Sequence, residues 1–148
     1  MKHLIIGNGA AGIAAAERIR KLDKASGIAI LSAEKYPVYS RCLLPYYLSG
    51  QLPEERMYIR DRDFYKKKNI DIYYNHKVVS VDFKLKKVYT GNTDNFNENG
   101  SVFEYDKLLV ASGSTPVLPP IGGLDFSNTY FLNTFDDAKR ILEDSRGA

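Results

Sequence analysis

The sequence contains no tryptophan, one cysteine, two methionines and two histidines among 148 residues. A single cysteine excludes an intrachain disulfide, and such usage points to a reducing, cytoplasmic compartment. His3 and His76 stand far apart, with no Cys/His ligand spacing and no carboxylate–histidine cluster. Neither a metal centre nor a histidine base is therefore expected. Apolar runs are short. None approaches the roughly 20 residues of a membrane span, and "MKHLII" breaks into glycines after Ile6, unlike a signal peptide. Net charge is scarce too. The balance of +3 comes with no basic helix and no base-stacking strand motif, so neither nucleic acid nor a membrane is an expected partner. What is there is a chain with 44% hydrophobic and 26% charged residues, the balance of a soluble globular domain with a conventional core.

The hydrophobic pattern changes character along the chain. "HLII", residues 3–6, reads as a short buried strand. "AAGIAAAERIRKL", residues 10–22, reads as a helix with Ile13, Ala16, Ile19 and Leu22 on its apolar side. "IAILSAE", residues 28–34, is a second strand and completes a strand–glycine loop–helix–strand unit of a parallel sheet. "PEERMY" and "DRDFYKKKN" then read as helical, with Asp61 as N-cap of the second and Tyr65 to Lys68 as its solvated end. "IDIYY", "KVVSVDF" and "KKVYT" alternate like the strands of a β-meander. "GNTDNFNENG", residues 91–100, reads as an exposed hairpin loop leading to "SVFEY". "KLLVA", residues 107–111, is a continuous apolar run of the kind buried on both faces. A Pro- and Gly-rich exit, "SGSTPVLPPIGG", precedes a last helical segment, "FDDAKRILEDS".

Gly7, Gly9 and Gly12 form G-x-G-x-x-G between the first strand and the first helix. The first glycine permits the tight turn, the second lets backbone approach a pyrophosphate, and the third lets helix and strand pack closely. The helix start at Ala10 and Ala11 offers N–H groups and a positive dipole end to phosphates. Glu34 closes the second strand 22 residues after Gly12. A carboxylate there accepts hydrogen bonds from both ribose hydroxyls, and its charge disfavours a 2′-phosphate. These residues predict a dinucleotide site and leave FAD and NAD both open.

The remainder of the chain discriminates. An NAD-type domain would continue with further βα units, whereas here a helical stretch and a meander precede the apolar strand and "YDKLLVASGSTPVLPPIGG". On these two motifs, in this order, the chain resembles the FAD half of the pyridine nucleotide-disulfide oxidoreductase family. The family's second motif is similar to "YDKLLVATGSxPxxPxIPG", with Ser112 here for the usual Thr and Gly122 for the usual Pro. The resemblance covers residues 2–144. It implies an α/β fold, a Rossmann-type FAD-binding domain with a parallel sheet and an inserted β-meander, occupying residues 1–148. It also implies FAD as cofactor and NAD(P)H as reductant on a later domain, with electrons passing through flavin to an acceptor.

By the same resemblance Gly7, Gly9, Ala10, Ala11, Gly12, Glu34 and Lys35 hold the ADP half, and Val78 meets the adenine through its backbone. Arg41, Cys42, Ala111, Ser112 and Gly113 flank the flavin half, with Arg41 pairing the pyrophosphate. Family members continue with an NAD(P)H domain and a C-terminal domain that usually mediates dimerisation. This chain stops at "SRGA", near where the NAD(P)H strand would begin. The expectation is a shortened chain or a naturally split half, catalytically incomplete alone, in a homo-oligomer or with a partner half.

"SRCLLPYYLSG", residues 40–50, holds the cysteine and resembles two branches of the family. NADH oxidases and coenzyme A disulfide reductases carry a segment like "NCGLPYYIGG", with a redox cysteine facing the flavin. Cys42, Leu44, Pro45, Tyr46 and Tyr47 match it, while Arg41 and Leu43 depart from it. The nitrite reductase and rubredoxin reductase group carries a segment like "PYSRxxLS", matched by Tyr39, Ser40, Arg41 and Leu44. The favoured expectation is an oxidoreductase of the nitrite reductase or NADH oxidase branch in which Cys42 is a small packing residue near the ring. A second reading makes Cys42 the catalytic thiol of a coenzyme A disulfide or peroxide reductase. A third is a non-catalytic nucleotide-binding half that assembles with a partner chain.

Overall fold

The computed structural model describes residues 1–61, 63–91, 100–123 and 129–145, so residues 92–99 of the expected hairpin loop lie outside the described residues. In chain order its elements are β1 (Lys2–Ile6), α1 (Ala10–Leu22), β2 (Gly27–Leu31), α2 (Leu44–Leu48), α3 (Phe64–Lys67) and β3 (Asp71–Tyr73). They continue with β4 (Lys77–Asp82), β5 (Lys87–Gly91), β6 (Val102–Glu104), β7 (Lys107–Val110) and α4 (Phe135–Ser145). Short 3-10 turns occupy Arg41–Leu43 and Glu54–Met57, the latter where the sequence reads as helical. The chain divides into two compact units, Met1–Val38 with Arg60–Gly113, and Tyr39–Ile59 with Ser114–Ala148.

The first unit is built on a parallel sheet of order β3-β2-β1-β7. Ile5 of β1 stands opposite Ile30 of β2 and Leu109 of β7, and Ile30 stands opposite Ile72 of β3. Alternate side chains of a strand point to opposite faces, and β1 is apolar at successive positions because both of its faces are covered. Ile5, with Ile28 and Ile30, packs against Ile13 and Ala16 of α1 and against Phe64, Tyr65 and Ile70. Leu4 and Ile6, with Leu31, pack against Val88 and Tyr105 on the other face. The second layer there is the antiparallel sheet β4-β5-β6.

Four local expectations need correction. "IDIYY" does not belong to the meander: β3 is the parallel edge strand beside β2, because Ile70 and Ile72 join the core under α1. β7 is not buried on both faces. It ends the sheet order, and Leu109 and Val110 are 37% and 59% exposed. Leu22 is 70% exposed because the apolar stripe of α1 leaves the core after its half-buried Ile19. Finally, Asp61 does not cap α3. Asp63 holds the cap position, and the Asp61 carboxylate instead accepts from Lys67 Nζ at 3.1 Å. Lys66 to Lys68 are exposed as expected, but Tyr65 beside them is buried.

Arg20 secures the far end of α1. Its guanidinium donates to the carbonyls of Asp23, Lys24 and Ser26 and to those of Lys68 and Asn69 just beyond α3. Backbone acceptors at two helix ends are thereby satisfied by one planar cation.

In the second unit α2 and α4 meet around Phe135, which is fully buried. Its ring lies 4.9 Å from that of Tyr47 and 5.4 Å from that of Tyr39, and Lys139 Nζ sits 4.6 Å above it. A Thr134–Asp137 capping box starts α4: Asp137 N donates to Thr134 Oγ1, and Asp137 Oδ2 accepts from the N–H groups of Asn133 and Thr134.

Candidate functional site

Three adjacent strands of the first unit end at one sheet edge. β1 runs into the glycine loop, β2 into Ser32–Glu34 and β7 into Ala111–Gly113. β2 lies on one side of β1 and β7 on the other, so the order of the sheet reverses at β1. Ligands of open α/β sheets bind in the crevice beyond such a reversal. The ladder extends into the loops: Gly7 N donates to Leu31 O at 2.9 Å and Ala111 N to Ile6 O at 2.8 Å.

The loop glycines divide by physical role. Gly7 has φ +111°, and a Cβ there would overlap the Ala111 carbonyl oxygen. A Cβ on Gly12 would overlap the carbonyl of Gly7. Both are demanded by the chain's own packing. Gly9 is different. Its φ of −92° suits any residue, and a Cβ there would meet nothing within 4 Å. Folding gives no reason for glycine at this exposed position, whereas close approach of a ligand to the backbone does.

Ala10 and Ala11 are exposed beside it, Gly9 caps α1 with no side-chain hydrogen bond, and the first turn carries no acidic residue. An anion meets the positive end of the helix there without competition from a carboxylate. The residues present thus fit a pyrophosphate. Gly113, at φ +73°, also has open space where a side chain would lie, and Ser112 beside it is exposed.

The turn after β2 is pinned from two sides. The Ser32 hydroxyl donates to Glu34 O at 2.9 Å and accepts from Glu34 N at 3.2 Å. Asn75 N donates to Glu34 O, and His76 N to Ser32 O at 2.8 Å. This holds the half-buried Glu34 at the same sheet edge as the glycine loop. Lys35 is exposed, with Nζ 5.3 Å above the Tyr36 ring.

Val78 is a core side chain first. It packs against the cluster of Leu4, Ile6 and Leu31, and the ladder to β5 shifts register between Val78 and Ser80. Arg41 and Cys42 belong to the second unit, at the 3-10 turn before α2. Arg41 Nη1 donates to Asn133 Oδ1 at 3.4 Å. Cys42, at the same turn, is exposed. Among the described residues no group of three or more His, Cys, Asp or Glu is placed to hold a metal, and no helix is long and apolar enough to cross a membrane.

Sequence reasoning missed Asn8 and Tyr65. Asn8 occupies a variable position of the glycine motif, and Tyr65 is masked by the lysines that follow it. In the structure the Tyr65 hydroxyl donates to Asn8 Oδ1 at 2.8 Å and accepts from Val38 N at 3.1 Å.

Residues 1–147 match the family described as pyridine nucleotide-disulphide oxidoreductase. The chain belongs to that family. An NADH oxidase of Methanocaldococcus jannaschii is 35% identical over 147 residues, which cover 97% of this chain and 32% of that protein. A nitrite reductase [NAD(P)H] of Bacillus subtilis is 33% identical over 144 residues, 97% of this chain and 17% of that protein. The solved structure of an NAD-dependent persulfide reductase from A. fulgidus superposes with a TM-score of 0.86 at 34% identity, covering all of this chain and 28% of that one. The parallel sheet with its antiparallel insert is the fold of the family's FAD-binding Rossmann domains. The chain therefore spans about a third or less of the relatives it matches.

Proposed function

We propose that this chain is the FAD-binding portion of an NAD(P)H-dependent flavin oxidoreductase. The carrying observation is Gly9: exposed, unforced by its own φ or packing, and placed at the open N-terminus of α1. Gly7 to Gly12 with Lys35 hold the ADP half, Glu34 accepts the ribose hydroxyls, and Val78 meets the adenine through its backbone. Arg41 pairs the pyrophosphate, and Ala111, Ser112 and Gly113 lie along the flavin half. FAD, when bound, supplies the redox centre that accepts hydride from NAD(P)H and passes electrons on. The chain's own part is to bind and orient. Relatives of similar identity are named as an NADH oxidase, a nitrite reductase and a persulfide reductase, which supports an acceptor chosen by segments other than this one. We assign the protein to the NADH oxidase and nitrite reductase branch, as one FAD-binding domain. The test is the visible spectrum of the protein after incubation with excess FAD and gel filtration. A retained flavin band is expected, and a colourless protein overturns the reading.

A second reading is favoured by the exposure of Cys42 on a segment matching the thiol-dependent branch. There the thiolate would be the catalytic nucleophile toward a disulfide or peroxide. In an enzyme that carries the NAD(P)H domain as well, Cys42→Ser abolishes disulfide or peroxide reduction under that reading. Unchanged reduction removes Cys42 from the mechanism.

A further inference from the structure

The glycine loop is held by a latch that no binding role explains. Asn8, between the first two glycines, turns its side chain back into the protein: Nδ2 donates to Tyr36 O at 3.3 Å, and Oδ1 accepts from the Tyr65 hydroxyl at 2.8 Å. That hydroxyl in turn accepts from Val38 N at 3.1 Å. Tyr36 and Val38 follow Glu34 by two and four residues. One buried phenol thus joins the loop that faces phosphates to the segment that carries the ribose carboxylate.

The Tyr65 ring is fixed before its hydroxyl is considered. It is buried in the core under α1 and packs edge-on against Phe64, with centroids 5.3 Å apart, and against Tyr74 at 6.3 Å. Burial pushes its phenol above the usual value, so the group stays neutral and keeps its proton to donate. A rigid ring that donates to Asn8 Oδ1 and accepts from Val38 N makes a fixed distance between loop and segment.

We propose that Tyr65 and Asn8 are positioning residues that pre-organise the dinucleotide site, holding the Gly7–Gly12 loop and the Glu34–Val38 segment in register before the nucleotide arrives. The inference rests on the FAD-binding reading above. Neither residue touches the ligand in this scheme. Their effect is to remove the ordering cost that binding would otherwise carry, which raises affinity without adding a contact.

Tyr65→Phe and Asn8→Ala, singly and together, test it in the flavin-free protein. Tyr65→Phe keeps the ring contacts and deletes only the bridging oxygen. Expected are faster amide hydrogen exchange at Gly7 and Ile13, whose N–H groups bond Leu31 O and Gly9 O at the two ends of the loop, and an FAD dissociation constant raised about tenfold by either change. The double variant is expected to be no worse than the poorer single one, because either change alone opens the latch. A lower melting temperature with FAD affinity and loop exchange unchanged would make the bridge merely structural and overturn the proposal. If the unsubstituted protein takes up no FAD, the cofactor reading fails. Loop exchange then still decides the latch: acceleration in Tyr65→Phe supports it, and unchanged protection overturns it.

Discussion

Gly9→Ser sets a side chain where no described atom lies within 4 Å, on a backbone of ordinary φ. Serine is also at least as good an N-cap as glycine. The melting temperature should hold or rise slightly, while FAD affinity falls about tenfold or more because the backbone is no longer bare to the pyrophosphate. Gly7→Ala and Gly12→Ala do the opposite kind of damage. Each drives a methyl group into a backbone carbonyl, and each should lower unfolding stability by about 2 kcal/mol or more in a denaturant titration. The motif assigns the turn to Gly7, the ligand to Gly9 and close packing to Gly12, but it does not name the atoms that a side chain at each position would strike. Sequence spacing records a residue type, and only the neighbouring atoms distinguish a forced glycine from a free one.

Asp23 makes a second prediction at this scale. Its carboxylate accepts from the Ser26 hydroxyl and from the N–H groups of Ser26 and Ala25, and these bonds lower its pKa from 3.8 to about 2. A depressed carboxylate contributes stability that is complete above its unfolded pKa and is lost as pH falls through the folded one. Thermal melts between about pH 4 and pH 2 should therefore fall less steeply in Asp23→Asn than in the unsubstituted protein, after allowance for the offset at neutral pH.

At the scale of elements, α1 depends on Arg20 more than its composition suggests. The guanidinium reaches five carbonyls on both sides of the chain turn. Arg20→Lys keeps the charge but cannot span them, so it should cost about 2 kcal/mol in urea unfolding, close to the loss in Arg20→Ala. Recovery of full stability by lysine would mean that charge alone is what α1 needs.

The long elements were the legible ones. α1 and α4 occupy the expected residues because apolar spacing over several turns is self-consistent within the segment. α2 and α3 are five and four residues long, too short for a period, and owe their existence to Phe135 and Tyr65. β3 was assigned to the wrong sheet because alternation specifies two faces of a strand and says nothing about which neighbour it pairs.

For the whole molecule, the order of motifs carried the family, and the family carried most of the site. Gly7 to Gly12, Glu34 and Ala111 to Gly113 were readable because each sits at a strand end whose geometry repeats wherever this fold binds a dinucleotide. The tie through Asn8 and Tyr65 was not readable. It joins residues far apart in sequence through the ordinary polar side chains of Asn8 and Tyr65. The same division applies to Cys42: the segment that holds it was identified, but its exposure came only from the fold.

Equilibrium titration of the flavin-free protein with FAD, followed by quenching of flavin fluorescence beside Glu34→Ala and Gly9→Ser, tests the central claim most directly. The unsubstituted protein should saturate at one FAD per chain, and both variants should bind about tenfold or more weakly, Gly9→Ser at an essentially unchanged melting temperature. Absence of saturable binding, or binding indifferent to both substitutions, would contradict a flavin site built on the glycine loop and Glu34.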